Sequence, residues 1–115
     1  MVRLYGIKNC DSVRKAVKFL KAHEIPFAFI DFRETPVDEN TIRKWLEKSD
    51  LKTLFNTRGT TYRTLGLKAL DLSDEEKIGW LAKENMLIKR PVLEFEDKVI
   101  VGYNESEYQN TLLHP

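Results

Sequence analysis

The sequence contains a single cysteine, Cys10, among its 115 residues. One cysteine cannot form a disulfide within its own chain or build a cysteine-rich metal site. Long apolar runs are also absent: the longest, Phe27 to Ile30, falls far short of the roughly 18 residues of a membrane span. The N-terminus lacks the apolar segment of a secretion signal. We therefore expect a soluble, cytoplasmic protein.

An excess of one charge is missing as well. The chain has 19 Lys and Arg residues against 18 Asp and Glu residues, for a formal net charge of +1. This balance argues against a dedicated nucleic-acid-binding protein, which usually carries a basic excess, and against an acidic disordered tail. With 42% hydrophobic residues, a chain of this length can bury one core. We expect one domain and a monomer.

Both ends of the chain show strand and helix patterns. Residues 2–7 and 27–32 are rich in β-formers and predict strands. Between them, apolar residues recur at i, i+3, i+4 and i+7, which predicts a helix with Asp11 or Ser12 as its N-cap. The four apolar residues are Val13, Ala16, Val17 and Leu20. Beyond residue 87 the sequence predicts strands at 91–95 and 99–101, a turn at 96–98 and a helix at about 105–113.

The order strand-helix-strand followed by strand-strand-helix indicates an α/β fold. It is the order of a thioredoxin-like domain with a helical insertion. The predicted thioredoxin-like part covers about 1–32 and 87–115, and the insertion covers about 33–86.

Two amphipathic helices are predicted within the insertion. One carries Trp45, and the other begins at a capping box in which Ser73 and Glu76 bond each other's backbone amides. A polar stretch with a central glycine, residues 55–63, separates them. We expect Trp45 and Trp80 to belong to the core.

Cys10 lies where the first predicted strand leads into the first predicted helix. Backbone N–H groups and the dipole at a helix N-terminus stabilise anions, and a thiolate is an anion. Lys8 and Arg14 would add to this stabilisation, whereas Asp11 would oppose it. A lone cysteine can alternatively serve as a small buried apolar side chain. The polar neighbours Asn9, Asp11 and Ser12 favour a reactive thiol.

Two arginines are candidate ligands for a carboxylate or an oxyanion. Arg90 precedes Pro91 at the start of a predicted strand, where a proline is also common without any function. A thioredoxin-like domain would carry a cis-proline here, beside Cys10, although residue types alone do not decide the isomer. Arg58 lies in the polar stretch and is either a solvated loop residue or a presented ligand.

The remaining polar residues form no motif for metal or cofactor chemistry. The sequence has no zinc-ligand spacing and no glycine-rich phosphate loop, so we predict no bound metal or cofactor. Neither His23 nor His114 forms a catalytic pair with Cys10 on sequence grounds.

Three ordered segments resemble one protein family. They are Tyr5 to Asp11, Asn56 to Arg63 and Ile88 to Leu93. Together they are similar to the ArsC/Spx family, and most similar to its YffB-like branch, over nearly the whole chain. The resemblance implies a thioredoxin-like fold with a helical insertion. It also implies that Cys10 is the nucleophile and that Arg58 and Arg90 match two of the three arginines that hold the oxyanion in arsenate reductases of this family.

Two departures from the family pattern bear on the activity. The place of the third arginine falls at or near Tyr103, which argues against efficient arsenate reduction because a charge-assisted donor is lost. Val13 stands where Spx regulators often have a second cysteine, so an internal disulfide switch is excluded.

The likeness to the YffB-like branch implies a monothiol oxidoreductase that takes glutathione as its co-substrate. The implied substrate-binding residues are Lys8, Asn9, Arg58, Arg90 and Pro91. With no resolving cysteine, Cys10 needs an external thiol to complete a redox cycle. Two alternatives stay open: an Spx-like regulator that binds RNA polymerase without turnover, and an arsenate reductase.

Overall fold

The computed structural model describes residues 1–114, which form four β-strands and six α-helices. The strands are β1 (Val2–Gly6), β2 (Phe27–Asp31), β3 (Val92–Phe95) and β4 (Lys98–Val101). The helices are α1 (Asp11–Ala22), α2 (Glu39–Leu46), α3 (Leu51–Leu54), α4 (Thr60–Thr64), α5 (Asp74–Lys83) and α6 (Glu105–Tyr108). A π-helical turn at Gln109–Leu113 continues α6.

The four strands form one mixed sheet in the order β2-β1-β3-β4. β1 runs parallel to β2 and antiparallel to β3, and β3 and β4 form a hairpin. The hairpin turns at Glu96, whose φ of 56° is in the left-handed region. This topology confirms the predicted α/β, thioredoxin-like architecture.

One face of the sheet packs against α1. The spacing that predicts this helix also sets its buried side, because Val13, Ala16 and Leu20 are buried and Val17 is half-buried. The buried cluster on this face consists of Val2, Leu4, Ala16, Phe19, Leu20, Leu93, Ile100 and Tyr108. The predicted amphipathic helix is therefore confirmed.

The chain divides into two compact units. The first unit consists of Met1–Thr35 and the segment from Arg90 onward, and it contains the sheet, α1 and α6. The second unit is Pro36–Lys89 and contains α2 to α5. None of the helices within residues 1–114 has the length and apolar character needed to cross a membrane.

Within the second unit, an arginine links the two longer helices. Arg43 of α2 bonds Glu39 at 3.0 Å and Glu75 of α5 at 2.8 Å. The predicted capping box of α5 is confirmed, since Ser73 Oγ accepts a bond from the Glu76 amide at 3.2 Å. In return, Glu76 Oε1 accepts a bond from the Ser73 amide at 2.9 Å.

The structure differs from the sequence analysis at three places. The patterns miss α3 and α4, which have 4 and 5 residues and are too short for apolar periodicity to appear. The N-cap of α1 is Cys10 itself, not Asp11 or Ser12. Trp45 is fully buried as expected, whereas Trp80 is half-buried, with Lys83 Nζ 5.0 Å from the centre of its ring.

Candidate functional site

The loop from β1 to α1 holds the cysteine in the first unit. Gly6 ends β1, and a Cβ built on it would lie 2.7 Å from Val13 Cγ2 of α1. Only a residue without a side chain lets the strand and the first helical turn come so close. Ile7 is buried at the start of the loop, whereas Lys8 and Asn9 are exposed. Packing of Gly6 and Ile7 therefore fixes where the helix begins.

Cys10 is the half-buried N-cap residue of α1. Its backbone is extended, with φ −149° and ψ 125°, and its carbonyl accepts a hydrogen bond from the Arg14 amide at 2.9 Å. The Cys10 side chain accepts no hydrogen bond from the backbone N–H groups of the first helical turn. The thiol thus lies at the positive end of a 12-residue helix, where an anion is stabilised.

The cations near Cys10 in sequence are directed to other partners. Arg14 donates from one nitrogen to Asp11 and from the other to Asn9 Oδ1 at 2.6 Å. Lys8 Nζ lies 3.9 Å from Glu34 Oε1. The expected help of Lys8 and Arg14 is thereby reduced, since neighbouring carboxylates offset both charges.

Arg90 and Pro91 enter β3 at the end of the sheet where β1 finishes. Tyr5, the last but one residue of β1, is paired with Val92, the first residue of β3. The antiparallel register therefore carries Arg90-Pro91 to the same end of the sheet as the loop that leads to Cys10. Arg90 is half-buried, Pro91 is buried, and the peptide bond between them is cis. The Pro91 carbonyl accepts a bond from the Gly102 amide at 2.8 Å.

Tyr103, at or near which the family resemblance implies a third arginine, belongs to an aromatic cluster. Its ring lies 4.9 Å from the Tyr108 ring and 6.4 Å from the Phe19 ring, centre to centre. Burial and then the charge of Glu105 raise the pKa of Tyr103. The Tyr108 hydroxyl is buried and has no hydrogen-bond partner within residues 1–114. Position 103 therefore carries a neutral phenol packed against other aromatic rings, and no cation.

Arg58 lies in the second unit, on the exposed loop between α3 and α4. Its amide donates to Asn56 Oδ1 at 3.2 Å, and its carbonyl accepts a bond from Arg63 Nη1 at 3.0 Å. A Cβ on Gly59 would meet Asn56 Nδ2 at 2.8 Å. Asn56, Gly59 and Arg63 thus shape the loop, although the sequence analysis assigns them no role. The signal that could identify this loop in the sequence is Asn56, because an Asn side chain commonly accepts a hydrogen bond from the backbone amide two residues later, here that of Arg58.

The structure brings Lys8, Asn9 and Cys10 together on one loop and carries Arg90 and Pro91 to the same end of the sheet. The contribution of Arg58 stays a prediction. Within the part of the chain that is described, no group of three or more His, Cys, Asp or Glu residues could hold a metal ion. His23 contacts Phe19, with 4.4 Å between the ring centres.

Two solved structures are similar to this chain over nearly its full length. A protein named YFFB is 33% identical with a TM-score of 0.91, and the match covers 97% of this chain and 99% of that one. A possible arsenate reductase from Streptococcus mutans UA159 is 39% identical with a TM-score of 0.77, over 90% of this chain and 92% of that one.

Sequence comparison gives a consistent result. The ArsC family model matches residues 5–111. An uncharacterized protein of Haemophilus influenzae is 37% identical over 110 residues, which are 95% of this chain and 96% of the relative. The global transcriptional regulator Spx 2 of Lactococcus lactis is 30% identical over 109 residues, 93% of this chain and 83% of the regulator.

Proposed function

This chain belongs to the ArsC family, and we propose on that premise that it is a thiol-dependent reductase with Cys10 as its only nucleophile and glutathione as its co-substrate. The observation that carries the proposal is the position of Cys10, half-exposed at the N-cap of a 12-residue helix with no capping side chain. Such a position stabilises a thiolate, which is the nucleophilic form of cysteine.

The reaction runs in two exchanges. The Cys10 thiolate attacks one sulfur of a substrate disulfide, so that a mixed disulfide forms and the other sulfur leaves as a thiolate that takes up a proton. A glutathione thiolate then attacks the mixed disulfide, releases Cys10 as a thiolate and leaves the substrate as its glutathione disulfide. A second glutathione converts that product, away from Cys10, into the free substrate thiol and oxidised glutathione. The second exchange needs an external thiol because the sequence has no second cysteine.

In this proposal the two arginines recognise anionic groups. Arg90, at the same end of the sheet as the Cys10 loop, binds a carboxylate of glutathione or of the substrate, because a guanidinium pairs with a carboxylate through two parallel hydrogen bonds. The resemblance to the arsenate reductases of this family implies the same role for Arg58. Lys8, Asn9 and Pro91 line the approach to the sulfur.

The test is a glutathione-coupled disulfide reductase assay with hydroxyethyl disulfide, followed by consumption of NADPH through glutathione reductase. We expect turnover by the wild-type protein and none by Cys10→Ser. Arg90→Ala should lower kcat/KM by at least about tenfold, because a charged hydrogen bond is worth about 1.5–3 kcal/mol. Lys98→Ala is the matched control, since that exposed cation lies at the opposite end of β3 and β4. Turnover by Cys10→Ser would refute the proposal.

A second candidate, a regulator that binds RNA polymerase without turnover, is supported by the 30% identity to Spx 2 over 93% of this chain. It predicts that the Cys10→Ser variant binds purified polymerase as tightly as the wild-type protein and that neither has reductase activity. Arsenate reduction is the weaker alternative. The relative from Streptococcus mutans favours it, but Tyr103 in its aromatic cluster supplies no charged donor for the oxyanion.

A further inference from the structure

A groove of about 810 Å³ lies in the first unit between α1 and β2. Its floor includes Val13 and Val17 of α1 and Phe27 and Phe29 of β2. The two phenylalanines are paired with Val2 and Leu4 of β1, so they point to the same face of the sheet as the core residues under α1.

The groove stays open because β2 is an edge strand. Within residues 1–114, β2 pairs with β1 on one side and with no strand on the other. Val17, Phe27 and Phe29 are consequently only half-buried, although all three are large and apolar. An apolar surface of this kind, concave and bordered by polar groups, is typical of a docking site.

Four basic side chains border the groove: Lys8, Arg14, Lys18 and Lys21. Arg14 is paired with Asp11, and Lys8 lies near Glu34. Lys18 and Lys21 form no ion pair within the described part of the chain, so their charges are uncompensated.

The helical spacing concentrates the charge on one side. Arg14, Lys18 and Lys21 follow one another at i, i+4 and i+7 on α1, and they form a basic row about 10 Å long beside the apolar floor. The groove therefore combines an apolar floor with a one-sided positive border, in a chain whose net charge is only +1.

We propose that this groove binds an acidic segment of a partner protein. Leucine or phenylalanine side chains of the segment enter between Val17 and Phe29, and its Asp or Glu residues pair with Lys18 and Lys21. A peptide that carries both apolar and acidic side chains matches an apolar floor beside a row of lysines. The proposal does not rest on the chemistry at Cys10.

The test measures fluorescence anisotropy of a labelled ten-residue peptide in which Leu and Phe alternate with Asp and Glu. The comparison peptide has Asn and Gln in place of Asp and Glu. We expect the full-length protein to bind the acidic peptide at least about tenfold more tightly than the neutral one, and 0.5 M salt to weaken that binding. Cys10→Ser should bind like the wild-type protein.

Two exposed lysines on the same helix provide a matched pair of variants. Lys18→Glu should weaken binding of the acidic peptide about fivefold, because it removes an attraction and adds a repulsion. Lys15→Glu makes the same charge change on α1 but does not border the groove, so it should change the dissociation constant less than twofold. Both side chains are exposed, and both variants should fold.

Four results would overturn the proposal. They are equal binding of the neutral peptide, equal effects of Lys18→Glu and Lys15→Glu, and absence of peptide binding together with binding to phosphatidylglycerol vesicles. The fourth is self-association of the protein, seen by light scattering and lost in Lys18→Glu, which would identify a second copy of this chain as the occupant. None of these results depends on whether the reductase assay succeeds.

Discussion

The close approach of Gly6 to Val13 makes a substitution at position 6 informative. In Gly6→Ala the new Cβ would lie 2.7 Å from Val13 Cγ2 and 3.5 Å from Cγ1. Carbon atoms in contact are normally about 3.5–4.0 Å apart, so the two elements would have to separate by about 1 Å. Val13 is 2% exposed and cannot turn away into solvent.

The cost follows from overpacking of a buried site, which is typically about 1–3 kcal/mol. We expect the melting temperature of Gly6→Ala, measured by circular dichroism, to fall by about 5–15 °C. Because the separation occurs at the first turn of α1, alkylation of Cys10 at fixed pH should change as well. A changed alkylation rate would show that the close approach of Gly6 and Val13 affects the environment of Cys10.

Gly79→Ala is the matched control. Gly79 lies inside α5, and within residues 1–114 a Cβ there would meet no heavy atom within 4 Å beyond its chain neighbours and the backbone of its own helix. The same substitution should raise stability by up to about 1 kcal/mol, since Ala is a better helix former than Gly. In the double variant Gly6→Ala/Val13→Ala the conflicting methyl groups are gone, so its destabilisation should be smaller than the sum of the two single effects. Additive effects, or a Gly6→Ala protein as stable as the wild type, would refute the reasoning.

Three further measurements test other parts of the structure. Burial, and then the charge and hydrogen bond of Glu94, raise the pKa of Tyr5 to about 12. The stability that this raised pKa contributes is complete below pH 10 and is lost as the pH rises towards 12. When the free energy of unfolding is measured by urea titration at pH 9 and at pH 11, it should therefore fall less for Tyr5→Phe than for the wild-type protein. Ser73→Ala should lower the free energy of unfolding by about 1 kcal/mol, because the Glu76 amide loses its cap; an unchanged urea midpoint would contradict the capping role. Cys10 should react with iodoacetamide at pH 7 faster in the native protein than in the urea-unfolded chain, and a slower native reaction would count against a stabilised thiolate.

Much of the first unit is predictable because its elements depend on local patterns. Residues 13–20 show helical periodicity, the β-rich segments at both ends form the sheet, and both are confirmed. The capping box at Ser73 is equally local, since a cap involves residues only three positions apart. The N-cap of α1 is the exception. Asp11 is a better cap type than cysteine, yet the helix begins one residue earlier than that cap would place it, where Gly6 of β1 lies close to Val13 of α1.

The features that the sequence analysis misses depend on contacts between distant residues or on very short elements. The proximity of β1 and Arg90-Pro91 is predicted only through the fold, because it depends on pairing between Tyr5 and Val92. The pairing of Arg14 with Asp11 and Asn9 is a choice of rotamer that residue types do not reveal. The groove beside β2 appears only when the strand order is known, since the order decides which strand lies at the edge.

The discontinuous first unit sets an order of assembly during synthesis. Tyr5 donates a hydrogen bond to Glu94, 89 positions later in the chain, and β1 pairs with β3 over a similar separation. The second unit, by contrast, is one continuous segment, Pro36–Lys89. On the ribosome, that segment emerges before the residues beyond Arg90, so β1 keeps an open side until those residues follow. Throughout that interval the segment that carries Cys10 is joined to a sheet that still lacks β3 and β4.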